Sequence, residues 1–420
     1  MQVQFSHDTK RYLDDKSQNF IVHLTCANGS EKHIEVQDIG IEGDITSITH
    51  NTKDCISRID DETIREINTL AACVKDRHCD CVSVEFIARQ IEGWVFETSG
   101  QKEPLSQWLE PKISDAIREY RFAFPIQTAR YDNGSLHFQA TKDVTFETLD
   151  TPVLRKFLYE NKAFDLSNES VYVCTTIQGE QIYAEKTAFE RCSFALDVFK
   201  ICSELGKNPN CRDWEFDIEN GNLQKSKRTL VYWDLNNPDK DVRSINVSLN
   251  RFPTILTDSI INSINRFNYQ DFLSLYEDCQ MPSCSDACKT LRLAIHKYSN
   301  ALSETDKHER VTSLCSVLDM LVLDGNKSVV ASLKKYIPIL LEQETDLRDE
   351  LSKFIGRMYD IRSKYLHHGN SNTKVAWQDV YYLSFIVFNL IHKLSLLRNG
   401  YPDLQGVYNA IDKKMNEIIF

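Results

Sequence analysis

Leu314, Val317, Leu318, Leu321 and Val322 stand at i, i+3, i+4, i+7 and i+8, the spacing that gathers apolar side chains into one stripe of an α-helix. Helical periodicity of this kind persists from about Thr257 to Phe420, and it restricts the fold more than any other feature. The segments are ACKTLRLAIHKYSNALS, KHERVTSLCSVLDMLVL, SVVASLKKYIPILLEQ, DLRDELSKFIGRMYDIRSKYLH, WQDVYYLSFIVFNLIHKLSLL and YPDLQGVYNAIDKKMNEIIF. SETD, DGNK, QETD, GNSNTK and RNGYP separate them, all of them turn or cap chemistry. Linkers this short make sequential helices antiparallel neighbours, so residues 257–420 are predicted to form an all-α bundle.

Residues 1–250 read differently, as a mixed α+β domain. FIVHLT (20–25) and HIEVQDIGIEG (33–43) alternate like strands. DDETIREINTLAACVK opens on Asp60 and Asp61 as N-caps and continues as a helix. In CVSVEFIARQIEGWVFET, the period-2 positions Val82, Val84 and Phe86 predict a strand. SQWLEPKISDAIREYR reads as a helix. DNGS (132–135) has the Asn-Gly chemistry of a tight hairpin between two alternating runs. TPVLRKFLYENKAF and FERCSFALDVFKICSELG read as helices, the second ending at Gly206, and a further hairpin is predicted around Asn220-Gly221. The fold class is therefore an α+β domain followed by a helical bundle, with the first serving as sensor or regulator.

Several functions are excluded by what the chain lacks. The start, MQVQFSHDTKRYLDDK, has no basic n-region followed by an apolar h-region. The longest apolar candidate, VYYLSFIVFNLIHKL, is interrupted by Ser384, Asn389 and His392, so no membrane span is expected and His392 is expected to be a satisfied core histidine. Thirteen cysteines, an odd number at irregular spacing, read as free thiols in a reducing cytoplasm. Cys73, His78, Cys79 and Cys81 form one cysteine-rich group, and Cys279, Cys284 and Cys288 another. Neither repeats the C-x2-C pair of a zinc site, and no P-loop, G-x-S-x-G elbow, H-E-x-x-H or dinucleotide fingerprint occurs. No metal and no cofactor is expected. The net charge of −12 argues against a general nucleic-acid coat, yet Ser285–Phe420 holds 18 basic and 16 acidic residues against 31 and 45 elsewhere. The C-terminal third is the part that does not repel a polyanion.

Within that third, MYDIRSKYLHHGN (358–370) places Arg362, Tyr365, His367 and His368 together where a helical pattern stops at Gly369. Taken alone, a histidine at a helix C-terminus needs no chemistry, because it interacts favourably with the last carbonyls. The segment, with Arg362 and His367 separated by four residues and with its place at the end of the fourth helix, resembles HEPN domains, most closely the ApeA-like subgroup. The likeness spans roughly Ser285 to Leu397. The subgroup's acidic "LExLL"-like helix is matched here by Leu318-Asp319-Met320-Leu321-Val322, with aspartate for glutamate, and no role is carried over to Asp319. The resemblance implies a metal-independent endoribonuclease used in anti-phage defence or as a toxin, with RNA, tRNA included, as substrate. It also implies a site shared between two protomers of a homodimer. The chemistry stands without the family. RNA carries its own nucleophile, the 2′-hydroxyl; an imidazole can move its proton near neutrality; a guanidinium can grip phosphate oxygens. Arg362 and His367 are the catalytic candidates, with Tyr365 and His368 supporting. Five residues apart, the first two stand about 140° apart around a continuous helix, so the helix is expected to end here and free His367. The alternative is a HEPN-like protein that binds a nucleotide or a partner without catalysis.

Overall fold

The computed structural model describes residues 3–25, 31–35, 56–59, 61–96, 103–131, 134–149, 170–205, 228–234, 243–247, 255–256, 269–279, 284–304, 306–322, 328–368 and 374–419. They divide into two units, one of Met1–Phe122, Thr176–Phe189 and Val231–Ser244, the other of Ala123–Thr175, Glu190–Leu230 and Ile245–Phe420.

The first unit contains α1 (His7–Ser17), β1 (Ile21–Thr25), β2 (Glu31–Glu35), β3 (Ile56–Ile59), α2 (Asp61–His78), α3 (Val84–Val95) and α4 (Leu105–Ala116). The strands form an antiparallel sheet in the order β2-β1-β3, with Val22 opposite both Ile34 and Ile59. Leu13, Phe20, Ile67, Leu70, Ile91 and Leu109 belong to its core. Residues 84–95 are a helix and not the strand that Val82, Val84 and Phe86 predict. Ser83 caps the helix by accepting the Phe86 N–H, and Ile87, Ala88, Ile91, Trp94 and Val95 are buried. That is helical spacing, and it overrides a period-2 pattern only three members long. The helix predicted through Arg121 stops at Ala116, because the following aromatic-rich run is a strand with β-propensity to match.

That strand, β4 (Arg118–Tyr131), is followed by β5 (His137–Gln139), β6 (Val144–Thr148), β7 (Ser170–Gly179), α5 (Gln181–Leu205), β8 (Arg228–Asp234), β9 (Arg243–Val247) and β10 (Ile255–Leu256). The sheet order is β5-β6-β7-β4-β8-β9, with β10 parallel to β4. The strands that flank DNGS do not pair with each other: β5 pairs with β6, His137 opposite Glu147, and β4 lies between β7 and β8, while Asp132 and Asn133 lie outside the described residues. Gly134 does take the left-handed conformation expected of it, φ 97°. The turn that reverses the chain lies instead at 140–143, where the Ala140 and Thr141 N–H groups donate to the Val144 carbonyl. The helix predicted over 151–164, the Asn220-Gly221 hairpin and Gly206 lie outside the described residues.

After β10 every described element is helical, as expected: α6 (Tyr269–Cys279), α7 (Asp286–Ala301), α8 (Lys307–Val322), α9 (Val329–Leu341), α10 (Thr345–His368), α11 (Trp377–Leu397) and α12 (Leu404–Ile419), with one 3-10 turn at Arg398–Gly400. Helix α8 is the axis of the packing, lying against α7, α9, α10, α11 and α12. Its whole apolar stripe, Leu314 to Val322, is buried. Leu318→Ala is expected to cost about 2–5 kcal/mol in urea unfolding; a loss below about 1 kcal/mol would show that α8 is not central. Trp377–Gly400 is long and apolar enough to cross a bilayer, but 56% of its apolar window is buried inside the protein. His392 is satisfied, its Nε2 2.7 Å from Asp271 Oδ2 with Phe272 and Phe388 against its ring. The nine cysteines whose side chains are described are free thiols.

A titrating contact ties α5 to α7. His296 Nδ1 lies 2.8 Å from Asp197 Oδ2, and this hydrogen bond raises the histidine pKa against burial and against Lys200 and Arg292. Protonated His296 therefore stabilises the folded chain below its unfolded pKa of about 6.5, and the contribution disappears as pH rises through the higher folded value. The melting-temperature gap between wild type and His296→Gln is expected to be widest near pH 5.5 and to close toward pH 8. A gap constant with pH would refute the coupling.

Candidate active site at the end of helix α10

Helix α10 buries Leu351, Ile355 and Met358, positions that repeat at helical spacing. The same stripe continues to Arg362 and Tyr365, which is why both turn inward onto α8. Arg362 Nη1 donates to Asp319 Oδ2 at 2.7 Å, with the two side chains 23% and 21% exposed. Asp319 Oδ1 accepts from the Tyr359 hydroxyl, which also lies 2.9 Å from the Cys315 carbonyl. The guanidinium rests 5.4 Å from the Tyr359 ring centre. Burial, with Cys315 and Asp319 alongside, pushes the Tyr359 pKa far up, so the phenol stays a donor at all working pH values. Arg362 Nε is buried without a hydrogen-bond partner among the described residues.

Tyr365 meets the start of α8. Its ring stacks on His308 at 5.4 Å and 16°, and its hydroxyl is 3.5 Å from Glu309 Oε1. Asp306 Oδ1 caps that end of α8 by accepting the N–H groups of His308 and Glu309 at 2.8 and 3.0 Å.

His367 is exposed, and Lys364 is exposed beside it. The helix ends at His368, the residue before Gly369, where the sequence places its end; His367 lies within its last described turn, so the helix end does not by itself release it. Gly369 itself lies outside the described residues. Arg362 and His367 consequently point to different sides of α10, about 140° apart, and one chain alone does not bring them together. The residue that sequence reasoning left without a role is Asp319. In the sequence it is only an acidic residue beside Leu318 of the apolar stripe; that it faces Arg362 is set by the packing of α8 against α10.

Chemically, the arrangement offers a fixed guanidinium with donors to spare and an accessible imidazole. It offers no clustered metal ligands: among the described residues no group of three or more His, Cys, Asp or Glu is placed to hold a metal ion. No protein family, curated protein or solved structure matches the chain.

Proposed function

We propose that this chain is a HEPN-type, metal-independent endoribonuclease acting as a homodimer, and that the α+β part holds it in check until a trigger arrives. The observation that supports this most is the Arg362–Asp319–Tyr359 set. Asp319 takes one nitrogen of the guanidinium and leaves Nε and Nη2 without a hydrogen-bond partner among the described residues, in a helix that presents an exposed imidazole about one and a half turns further on. A phosphate oxygen is the natural partner for the remaining donors.

In this reading Arg362 stabilises charge on the scissile phosphate. His367 of one protomer removes the 2′-hydroxyl proton, the freed oxygen attacks phosphorus, and the 5′-oxygen leaves with a proton from the second protomer's imidazole. The products are a 2′,3′-cyclic phosphate and a 5′-hydroxyl. Two copies solve the angular problem, because base and acid must stand on opposite sides of the phosphorus. Tyr365 supports the site through its stacking on His308 at the start of α8, and His368 is assigned a supporting role. A prokaryotic defence or toxin role fits an RNase that must be gated.

The occupied Nη1 of Arg362 favours one other reading, a bundle that binds a nucleotide or partner without cutting. Incubating the purified chain with mixed tRNA and mRNA in excess EDTA separates the two. Fragmentation of the RNA is expected; RNA left intact by folded, dimeric protein would favour the binding-only reading.

A further inference from the structure

Arg310, in the first turn of α8, is 6% exposed; its backbone N–H donates to the Asp306 carbonyl, but no hydrogen bond or ion pair joins its side chain to a described residue, and its Nε is buried and unpartnered. A guanidinium has five donors, and buried polar groups are normally satisfied. Its close contacts are aromatic: Cζ is 5.9 Å from the ring centres of both Trp377 and Tyr381 at the start of α11. Those rings stack on each other at 5.8 Å and 23°, and both are only partly buried. Lys307 Nζ sits 5.4 Å over the same indole. Two cations at a helix N-terminus oppose the helix dipole, an arrangement that an arriving anion relieves.

We propose that Lys307, Arg310, Trp377 and Tyr381 form a nucleotide subsite, in which a base stacks on the Trp377–Tyr381 pair and its phosphate lies between the two cations. The inference rests on the preceding reading for its substrate class and adds where a neighbouring nucleotide is held. Position supports it: His308 and Glu309, between the two cations in sequence, contact Tyr365, two residues before His367. A base held here flanks the phosphate to be cut. The nearby carboxylates define its scale. Asp306 caps α8, Glu309 leans on Tyr365, and Glu304, its pKa raised by burial and by Glu309, is within electrostatic reach of Arg310. Those three acids exclude a continuous polyanion track and leave room for one nucleotide. Aromatic faces beside cations suit a base with its phosphate.

The test uses the full chain and a labelled, single-stranded RNA octamer, 2′-O-methylated throughout so that it lacks the nucleophile and stays intact. Anisotropy titrations compare wild type with Trp377→Leu and Lys307→Gln, both checked by thermal melting. Trp377→Leu is expected to weaken binding about 10-fold, within the range of one lost base stack. Lys307→Gln is expected to lower the slope of log K against log salt by about 0.7, the loss of one phosphate contact. Folded variants that bind like wild type, or a wild type that does not bind the octamer, would overturn the subsite. The outcomes separate the two claims. Variant-sensitive binding by a protein that never cuts RNA retains the subsite and removes the nuclease; cutting with unaltered variant binding does the reverse.

Discussion

Alanine at Arg362 or at His367 should lower RNA cleavage about 10²–10⁴-fold, the range expected when a positioned acid, base or charge-stabilising donor is removed. The two variants should differ in stability. His367 is exposed, so its loss should stay within about 0.5 kcal/mol of wild type. Arg362→Ala also strips Asp319 of its cation and should melt lower. Mixing the two inactive variants makes a sharper test. In a site that takes its base and its acid from the two protomers' His367, a mixed dimer retains only one imidazole and one guanidinium. The mixture should therefore stay far below wild type, without the recovery of about a quarter that random exchange gives when each site needs one Arg362 and one His367 from opposite chains. Recovery to about a quarter of wild-type activity would contradict the two-imidazole site.

The second large effect belongs to Asp319. Asp319→Ala leaves the partly buried Arg362 guanidinium without its counter-charge and the Tyr359 hydroxyl without one of its two acceptors. Removing one partner of such a set should cost about 1–3 kcal/mol in denaturant unfolding, short of a fully buried pair because both side chains still touch solvent. Cleavage should fall about 10–100-fold as well, since a guanidinium freed from its anchor no longer meets the phosphate in one geometry. Asp319→Asn keeps the size and the acceptor for Tyr359 but loses the charge, and should resemble alanine in activity more than in stability. Asp319→Glu should recover part of both. An alanine variant equal to wild type in melting and in rate would show that the pair does not position Arg362.

Much of this could be read from the residues. All six C-terminal segments that repeat at helical spacing are helices, because burying a stripe against neighbours fixes both phase and length. The failures came where the pattern was short. Val82, Val84 and Phe86 alternate for only three members, and the stripe from Ile87 to Val95 prevails. DNGS has good turn chemistry and Gly134 uses it, but a turn does not decide which strands pair: β5 finds β6 through a different reversal. At the site, Arg362 and His367 were legible as residue types, and their angular separation followed from helix geometry. The Asp319 pairing and the unpartnered Arg310 were not legible. Both depend on which helix faces which, and local periodicity does not encode that.

The most direct test of the account is the chemistry of the ends. RNA digested by the purified chain in excess EDTA should carry 2′,3′-cyclic phosphate and 5′-hydroxyl termini, with neither formed by Arg362→Ala or His367→Ala. Fragments ending in 3′-hydroxyl and 5′-phosphate, or cleavage undiminished in both variants, would contradict it.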